Sequence, residues 1–503
     1  MSRRLLRSVS FRTVVSLALL GSVVVAAPAH AAGSVTTNGC VASVPEPGTT
    51  TPVRICYSLF QPAGASAAHT VPLVFHSHGW GGSRTKDAAA FKSWLDAGYG
   101  VLSFDQRSFG ESTGVAHVMN PELEGRDVVR LVDLVAGLDW VTKQRPGDPL
   151  IGAIGGSYGG GYQFAGAFAE IREKGRTRFD ALAPEITWWD LKESLAPSEA
   201  ARTMWLALLY AGGGTHLPPA VQAGFVALIT TGQWPSGQAG RDLDAFFRKN
   251  GPSWQVAHGR KLDIPVIIGQ GLSDNLFNLN QGLQNFDKAL TGRARSRSIF
   301  VGYNAGHTLP SVVPPGYVTP GDPCSIALGS STFAALEQRF MDLNLKHSYS
   351  GLTGFGSYHL ATADGRCLTQ RQLAVNTQYR LGSVGAVTTA VARGPITVAG
   401  VPQVRAKVSS LLPNAAAFFA LSVGTSPLDA KIVQNNTMPL REKKPVHGAR
   451  RTVELPGIAV DVPAGKTLFL TVSPVADMFA GQDGHVPGQL RLDDVTVRLH
   501  QVR

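Results

Sequence analysis

The chain has 503 residues, of which 44% are hydrophobic and 16% charged, and its formal net charge is +11. This length exceeds what one hydrophobic core usually fills, so two or three domains are expected. The basic residues are scattered, and the local clusters at 293–297 and 441–444 lack interleaved aromatic residues. Composition and charge therefore argue against a nucleic-acid partner.

The N-terminal segment 1–31 has the features of a signal peptide. Arg3 and Arg4 belong to a basic start, Val14–Ala27 is apolar, and Ala29–Ala31 offers a small-residue cleavage site. The apolar run is too short for a comfortable membrane span. We expect a secreted, extracellular protein without stable membrane insertion, exported by the general or the twin-arginine route, with a mature charge of about +7.

The four cysteines favour two disulfides in an exported chain. Among the possible pairings, Cys40 with Cys56 and Cys324 with Cys367 is the most local. The first pair would staple an N-terminal hairpin, and the second would tie the end of the first large domain to the next one. Because no C-x-x-C motif occurs, we expect no metal and no cofactor.

Strands and helices are predicted to alternate over most of the chain before about residue 350. An amphipathic helix is expected over 122–142, and a helical cap rich in tryptophan interrupts the alternation at about 185–260. Such alternation predicts a doubly wound, mostly parallel sheet covered on both faces. The predicted strands are 53–60, 71–78, 100–104, 149–155, 264–271 and 298–302.

The pattern changes after about residue 350 to short alternating runs separated by turn residues. Regular short strands without helices predict a β-sandwich or jelly roll. We therefore expect an α/β domain over 32–348, with the cap inserted in it, and an all-β domain over 349–503.

One glycine-rich stretch follows a buried strand and precedes a helix. It reads Gly155-Gly156-Ser157-Tyr158-Gly159, the G-x-S-x-G pattern in the strand–turn–helix context that a nucleophilic serine needs. The turn would place the Tyr158 N–H at a helix N-terminus, where an oxyanion forms. The alternative is a purely structural turn between strand and helix.

A serine nucleophile needs a base and an orienting carboxylate, which in this topology follow later strands in the order acid, then histidine. Asp274 follows the strand at 264–271, and His307 follows the strand at 298–302. Asp274 as a turn-closing residue is the alternative. The loop His78-Gly79-Trp80 would supply the Trp80 N–H as the second oxyanion donor, unless its glycine only forms a turn. His76 and His78 lack a third metal ligand at suggestive spacing.

The loop from Asp105 to Ser112 also follows a predicted strand. We favour a buried Asp–Arg interaction that holds this loop over direct contact with substrate.

Together these motifs resemble the α/β-hydrolase superfamily and, more narrowly, the X-prolyl dipeptidyl peptidase and cocaine-esterase-like serine hydrolases. The resemblance implies hydrolysis through an acyl-enzyme, with Ser157, Asp274 and His307 as the triad, and a jelly-roll domain that helps to wall the site. Two positions depart from the family pattern. Ser108 stands where the family loop usually carries Gly, and Trp80 stands in the loop from which the cocaine-esterase branch takes a Tyr hydroxyl.

An X-prolyl peptidase needs a carboxylate for the substrate ammonium and an apolar slot for proline. Glu185 and Asp190, beside Trp188 and Trp189, are candidates, although surface acids and core tryptophans are the simpler interpretation. The leading hypothesis is an exported X-prolyl dipeptidyl-peptidase-like hydrolase, and the alternative is a carboxylic-ester hydrolase. A remoter alternative is an envelope- or carbohydrate-binding protein with a vestigial hydrolase. The expected partner is a peptide or small ester substrate, and the oligomeric state is left open.

Overall fold

The structure is a computed structural model that describes residues 33–309, 316–348, 351–435, 437–481 and 489–502. The predicted signal peptide lies outside the described residues. In the part of the chain that is described, no helix is both long and apolar enough to cross a bilayer.

Among the described residues, ten strands precede the loop of His307. They are β1 (Val35–Ser43), β2 (Val53–Gln61), β3 (Leu73–Ser77), β4 (Gly100–Phe104), β5 (Lys143–Arg145), β6 (Asp148–Pro149), β7 (Ile151–Gly156), β8 (Phe179–Glu185), β9 (Ile267–Gly271) and β10 (Ile299–Tyr303). Strands β4, β9 and β10 are buried along their whole length.

The helices lie between these strands or shortly after them. They are α1 (Lys92–Asp96), α2 (Glu124–Ala136), α3 (Tyr158–Lys174), α4 (Leu191–Leu195), α5 (Thr203–Gly213), α6 (Pro219–Thr231), α7 (Gly237–Phe247), α8 (Pro252–Ala257), α9 (Leu279–Gln284), α10 (Gly292–Arg295), α11 (Pro323–Ala327) and α12 (Phe333–Leu345). Short 3₁₀ or π turns occur at Ala88–Phe91, Pro197–Glu199, Gly214–His216, Asn285–Ala289 and Asp477–Phe479.

The remaining described strands follow β10 in the chain. They are β11 (Gly316–Tyr317), β12 (Tyr358–Ala361), β13 (Cys367–Gln370), β14 (Thr377–Val384), β15 (Thr388–Arg393), β16 (Ile396–Ser410), β17 (Ala415–Gly424), β18 (Lys431–Val433), β19 (Met438–Glu442), β20 (Val446–Glu454), β21 (Ile458–Val462), β22 (Thr467–Ser473) and β23 (Arg491–Val502).

A ten-stranded sheet in the order β1-β2-β4-β3-β7-β8-β9-β10-β12-β13 forms the centre of the molecule. The strands from β4 to β12 run parallel, and β1, β2 and β13 pair antiparallel at the two edges. Side chains alternate between the faces: Phe75 packs with α2 and α3, whereas its neighbour Val74 packs in the core that includes α12. Apolar cores on both faces confirm the predicted doubly wound α/β fold.

Helices α4 to α8 separate β8 from β9, where the cap was expected. Helix α2 is shorter than the predicted 122–142. It ends at Ala136 because the chain then turns, and Trp140 and Val141 pair with Val71 just before β3.

The last part of the chain, joined by β11, forms two sheets with a shared apolar core, and all their strand pairs are antiparallel except β11 with β18. Strands β18, β17, β22 and β15 form one sheet, together with β11 and β19, and strands β14, β23, β16, β20 and β21 form the other. Val408, Leu421 and Val497 are among the side chains buried between them. A 3₁₀ turn of this region reaches the cap, where the Thr203 hydroxyl donates to the Ala480 carbonyl at 2.8 Å.

Strands β12 and β13 come after residue 348 yet complete the large sheet through the parallel pair β10–β12. We propose that the domain boundary lies after β13, near residue 371, because these strands share ladder hydrogen bonds with the α/β domain. Disulfides join Cys40 to Cys56 across the β1–β2 hairpin and Cys324 to Cys367 between α11 and β13. These are the two local pairs, and the second lies within the α/β domain rather than between domains.

Candidate active site

Ser157 occupies the turn between β7 and α3 with φ 58° and ψ −122°. A left-handed φ is strained for a residue with a side chain, and such strain concentrates at functional sites. The Ser157 N–H donates to the Glu185 carbonyl at 2.9 Å, and its own carbonyl accepts from Gly160 and Gly161 at 2.9 and 3.0 Å. The turn is therefore fixed by hydrogen bonds on both sides.

Two glycines of the motif are required by close backbone approach. A Cβ on Gly159 would lie 2.4 Å from the Ser77 carbonyl oxygen, and a Cβ on Gly155, whose φ is 134°, would lie 2.9 Å from the Gly159 carbonyl oxygen. Both distances are shorter than carbon and oxygen tolerate without a bond. The sequence pattern thus reflects the packing of the turn against β3.

Asp274 and His307 meet at the carboxyl ends of β9 and β10. The His307 Nδ1 lies 2.8 Å from Asp274 Oδ2, while Asp274 Oδ1 accepts from the N–H groups of Leu276 and Phe277 at 2.8 and 2.9 Å. Asp274 is fully buried. A carboxylate held this way directs the proton of the imidazole to Nδ1 and leaves Nε2 free to accept one.

Aromatic rings hold His307 on two sides. The centroids of Trp205 and Phe277 lie 5.7 and 5.3 Å from the imidazole, each in an edge-on arrangement. Phe277 also lines the pocket that contains Ser157, so one side chain contacts both the imidazole of His307 and that pocket. No hydrogen bond joins Ser157 Oγ to His307 in the described part of the chain.

The two expected oxyanion donors lie beside Ser157. Tyr158 opens α3, where a backbone N–H has no acceptor within the helix. The loop with Trp80 is adjacent, since a Cβ on Gly79 would lie 4.0 Å from the Ser157 Cβ. The Trp80 indole donates to the Leu209 carbonyl at 2.8 Å and packs edge-on against Tyr158, which fixes this loop between α3 and the cap.

An apolar pocket opens next to Ser157. The cap, the Trp80 loop and the loop after β9 all contribute to it, and none of the described side chains that line it is charged. The lining residues besides Ser157 are Trp80, Val118, Tyr158, Trp188, Leu191, Leu195, Leu209, Leu217, Phe225, Phe247, Leu276 and Phe277.

Of the four residues predicted for the substrate pocket, Trp188 lines it. Trp189 is buried elsewhere, with the Lys288 ammonium 5.6 Å from its ring. Asp190 caps α4 by accepting from the Glu193 N–H at 3.1 Å, and its other oxygen accepts from the Ser253 hydroxyl at 3.0 Å. Asp190 therefore has a structural role at the base of the cap.

Glu185, the fourth, lies behind the Ser157 turn. Its Oε1 accepts from the Tyr303 hydroxyl at 2.5 Å, and a Cβ on Gly156 would lie 3.6 Å from its Oε2. Burial raises the pKa of this carboxyl, against the opposing effects of the Tyr303 hydrogen bond and the nearby His307. Glu185 does not line the apolar pocket.

Asp–Arg pairs hold the loop that follows β4. Asp105 and Arg107 of this loop each pair with a residue outside the segment 105–112. Asp105 accepts from the side chain and the backbone N–H of Arg84, and Arg107 forms a bidentate pair with Asp127 at 2.7 and 2.9 Å. Ser108, with φ 76°, lies 3.0 Å from the His216 ring nitrogen in the cap. The position that departs from the family pattern thus links this loop to the cap.

The remaining histidines near the site have structural partners. His76 Nδ1 lies 3.1 Å from the Ser103 hydroxyl, and burial lowers the pKa of His76 to about 4. His78 Nε2 accepts from the Gln106 N–H at 3.1 Å. His78 therefore helps to hold the Trp80 loop against the loop after β4, whereas His76 joins the neighbouring strands β3 and β4.

Apart from Trp188, sequence reasoning missed the side chains that the cap contributes to the pocket, among them Leu209, Leu217 and Phe225. A signal was present, because the segment 203–240 contains no Asp, Glu, Lys or Arg. A long uncharged segment at the surface of a catalytic domain indicates an apolar binding face.

Comparison with known proteins agrees with this geometry. The family described as X-Pro dipeptidyl-peptidase (S15 family) matches residues 51–307. A CocE/NonD family hydrolase from Staphylococcus aureus is 12% identical, covers 93% of this chain and 94% of its own, and has a TM-score of 0.64. An alpha-amino acid ester hydrolase is 14% identical, covers 94% and 98% of the two chains, and has a TM-score of 0.62.

A curated Escherichia coli relative, an uncharacterized 31.7 kDa protein of the traX-finO intergenic region, is 31% identical over 104 residues. The match covers 20% of this chain and 35% of that protein, about a third of the relative's length.

The fold and the matched region together define this chain as a hydrolase of the α/β-hydrolase superfamily. The chain belongs to the X-Pro dipeptidyl-peptidase family, since the match spans half of its length.

Proposed function

We propose that the chain is an exported serine hydrolase that works through an acyl-enzyme formed on Ser157. His307 takes the proton of the Ser157 hydroxyl and later gives it to the leaving group, while Asp274 orients the imidazole. The single observation that carries this proposal is the Asp274–His307 contact of 2.8 Å, made by an imidazole that packs on Phe277, a lining residue of the Ser157 pocket.

The chemistry needs one closing movement. Rotation of the Ser157 side chain or of the His307 ring would bring Oγ and Nε2 together, as catalytic hydrogen bonds often tighten only when substrate binds. The oxyanion of the tetrahedral intermediate would accept from the N–H groups of Tyr158 and Trp80. Water then attacks the acyl-enzyme, with the same imidazole as base.

The apolar pocket favours an ester with an uncharged acyl group as the substrate. A free ammonium placed among its aliphatic and aromatic side chains would lose its hydration without gaining a partner. The acids expected to bind such an ammonium, Glu185 and Asp190, have the structural partners Tyr303 and Ser253.

X-prolyl dipeptidyl-peptidase activity is the second candidate, because it is the activity after which the matched family is named. The same apolar pocket would accept a proline ring. This candidate requires Glu185 Oε2 to reach the substrate ammonium past the Ser157 turn.

Two assays separate the candidates and test the proposal. The mature chain is given nitrophenyl esters of acetate, butyrate, octanoate and benzoate in one series and Xaa-Pro anilides in the other. We expect turnover of the esters to exceed turnover of the anilides, and Ser157→Ala to lower either activity by on the order of a millionfold in kcat.

Covalent labelling by a fluorophosphonate supplies the control. The exposed Ser236 makes no capping hydrogen bond at the start of α7, so Ser236→Ala should label and turn over like the unaltered chain. Labelling that persists in Ser157→Ala would show that another residue is the nucleophile. An unlabelled, inactive chain would favour a binding protein with a vestigial hydrolase.

A further inference from the structure

The cap contains an uncharged segment. From residue 203 to residue 240 the sequence includes no Asp, Glu, Lys or Arg, although 16% of the whole chain is charged. This segment contains α5, α6 and the start of α7. Because a water-facing helix normally carries charged side chains, two surface helices without any are unusual.

The outer faces of α5 and α6 are apolar. Exposed residues recur at helical spacing on each helix, so each set forms one stripe. They are Met204, Ala207, Leu208 and Ala211 on α5 and Ala220, Ala223, Val226 and Thr230 on α6. The large side chains Met204, Leu208 and Val226 are 44%, 48% and 43% exposed.

The inner sides of the same two helices line the pocket of Ser157. Leu209 on α5 and Phe225 on α6 are lining residues, and Leu217 lies in the connection between the helices. The helix pair is therefore one apolar layer thick, with solvent on one side and the Ser157 pocket on the other. An apolar chain that crosses this layer would reach the pocket without passing a charge.

We propose that the outer face of α5 and α6 docks on a lipid surface, from which an ester delivers its acyl chain to the pocket beneath. The route to the pocket rests on the proposed hydrolase function, whereas the docking does not. Met204, Leu208 and Val226 insert among the acyl chains, and the absence of charges means that no ion loses its hydration.

The net charge favours a lipid surface over a second copy of this chain. Two copies each carry the same positive charge and repel one another, whereas anionic lipid attracts them. The small side chains of Ala207, Ala211 and Ala223 keep the face shallow enough to lie flat on a membrane. Such docking is interfacial and needs no helix that spans the bilayer.

Co-sedimentation with vesicles of phosphatidylcholine and phosphatidylglycerol tests the docking. The double variant Met204→Glu/Leu208→Glu places two charges on the outer face of α5. Because both side chains lose their favourable transfer into the acyl region, we expect vesicle partitioning to fall by about tenfold or more. Val226→Glu, on the other helix, should weaken partitioning in the same direction and replaces the double variant if that one does not fold.

The matched control is Leu411→Glu/Leu428→Glu, which changes the net charge by the same amount at side chains of the β domain that are 93% and 99% exposed. It should bind vesicles within about twofold of the unaltered chain, since only long-range attraction changes. Hydrolysis of a soluble acetate ester should be the same in all these variants, which confirms that they are folded.

The outcomes are distinguishable. Equal losses in the double variant and its control, or no binding by the unaltered chain, would overturn the docking proposal. A dimer in solution that Met204→Glu/Leu208→Glu dissociates would also overturn it in favour of a second copy. Ser157→Ala should bind vesicles normally without hydrolysing esters, so a failure of the hydrolase proposal appears in the second measurement alone.

Discussion

Two walls of the Ser157 crevice are built in opposite ways. The loop wall, residues 105–127, contains seven charged side chains, whereas the longer cap wall, residues 203–240, contains none. Both present apolar side chains to the pocket, Val118 from the loop wall and Leu209 and Phe225 from the cap wall.

The difference lies behind the pocket surface. In the loop wall, Asp105, Arg107 and Asp127 are buried and paired, so charge fixes the backbone while apolar atoms face the substrate. In the cap wall, apolar packing, together with uncharged hydrogen bonds such as the bond from the Trp80 indole to the Leu209 carbonyl, holds the helices. Directional pairs position a loop relative to Ser157, whereas apolar packing gives a wall that tolerates changes in the shape of what it contacts and exposes apolar surface.

The largest expected effect tests whether the crevice between the two walls is the site of ester hydrolysis. Asp274→Asn keeps the size of the side chain but removes the acceptor that holds the proton on His307 Nδ1. We expect kcat for ester hydrolysis to fall on the order of ten-thousandfold, because the imidazole then favours the wrong tautomer. Stopped assays with enough enzyme to detect this residual rate provide the measurement.

Retained activity in Asp274→Asn would mean that the crevice contains another acid for His307. Glu185 is the nearest candidate, so the double variant Asp274→Asn/Glu185→Gln would then show the loss.

The next largest effect concerns the contribution of the buried charges of the loop wall to the free energy of unfolding. Arg107→Met leaves the buried Asp127 without its bidentate partner, and removing one member of a buried pair costs about 3–5 kcal/mol. Urea unfolding should show this loss in the free energy of unfolding. Lys92→Met, which breaks the exposed pair with Asp96 on α1, should change it by less than about 0.5 kcal/mol. Similar losses in the free energy of unfolding of both variants would show that a buried pair of the loop wall contributes no more to stability than an exposed pair.

The sequence was sufficient for the fold because the determinants are local. Buried apolar runs, glycines at the Ser157 turn and regular alternation after about residue 350 each predict their own element. The domain boundary was less accessible, since β12 joins the large sheet through ladder hydrogen bonds with β10, a partner distant in sequence that no local pattern encodes.

The contacts of the candidate site also differ in how far the sequence predicts them. The contact between Asp274 and His307 could be expected from the sequence, because chain order and strand ends constrain where the two residues lie. The partner of Asp105 was not, because Arg84 lies in a loop without a motif and reaches the carboxylate only in three dimensions. The roles considered for Glu185 and Asp190 depended on side-chain direction, and Tyr303 and Ser253 decide that direction.

A smaller effect should appear in specificity. Phe225→Ala removes a ring from the cap wall of the pocket. In such a pocket, a single methylene group changes the ratio of kcat/KM values for two substrates by about tenfold or more. We expect kcat/KM for octanoate esters to rise about tenfold relative to acetate esters. Phe246→Ala, on α7 but outside the pocket lining, should leave this ratio unchanged. An unaltered ratio in Phe225→Ala would place the acyl group on another side of Ser157.

The smallest effect concerns the pH dependence of the loop wall. Burial, with a further contribution from the Asp127 charge, raises the pKa of Glu124 from 4.5 to about 8. Between these values the folded chain keeps a proton that the unfolded chain releases, so the stabilisation is complete below pH 4.5 and is lost as pH rises toward 8. Glu124→Gln should therefore flatten the decline in the free energy of unfolding by at most about 1.4 kcal/mol per pH unit.

Glu122→Gln is the control. Burial opposes ionisation of Glu122 as well, but the effect of Arg172 is larger and the pKa of Glu122 is lowered, so this variant should leave the decline intact. Equal slopes in the unaltered chain and Glu124→Gln would show that the loop wall holds this carboxyl ionised, and the contrast with the uncharged cap would then be sharper still.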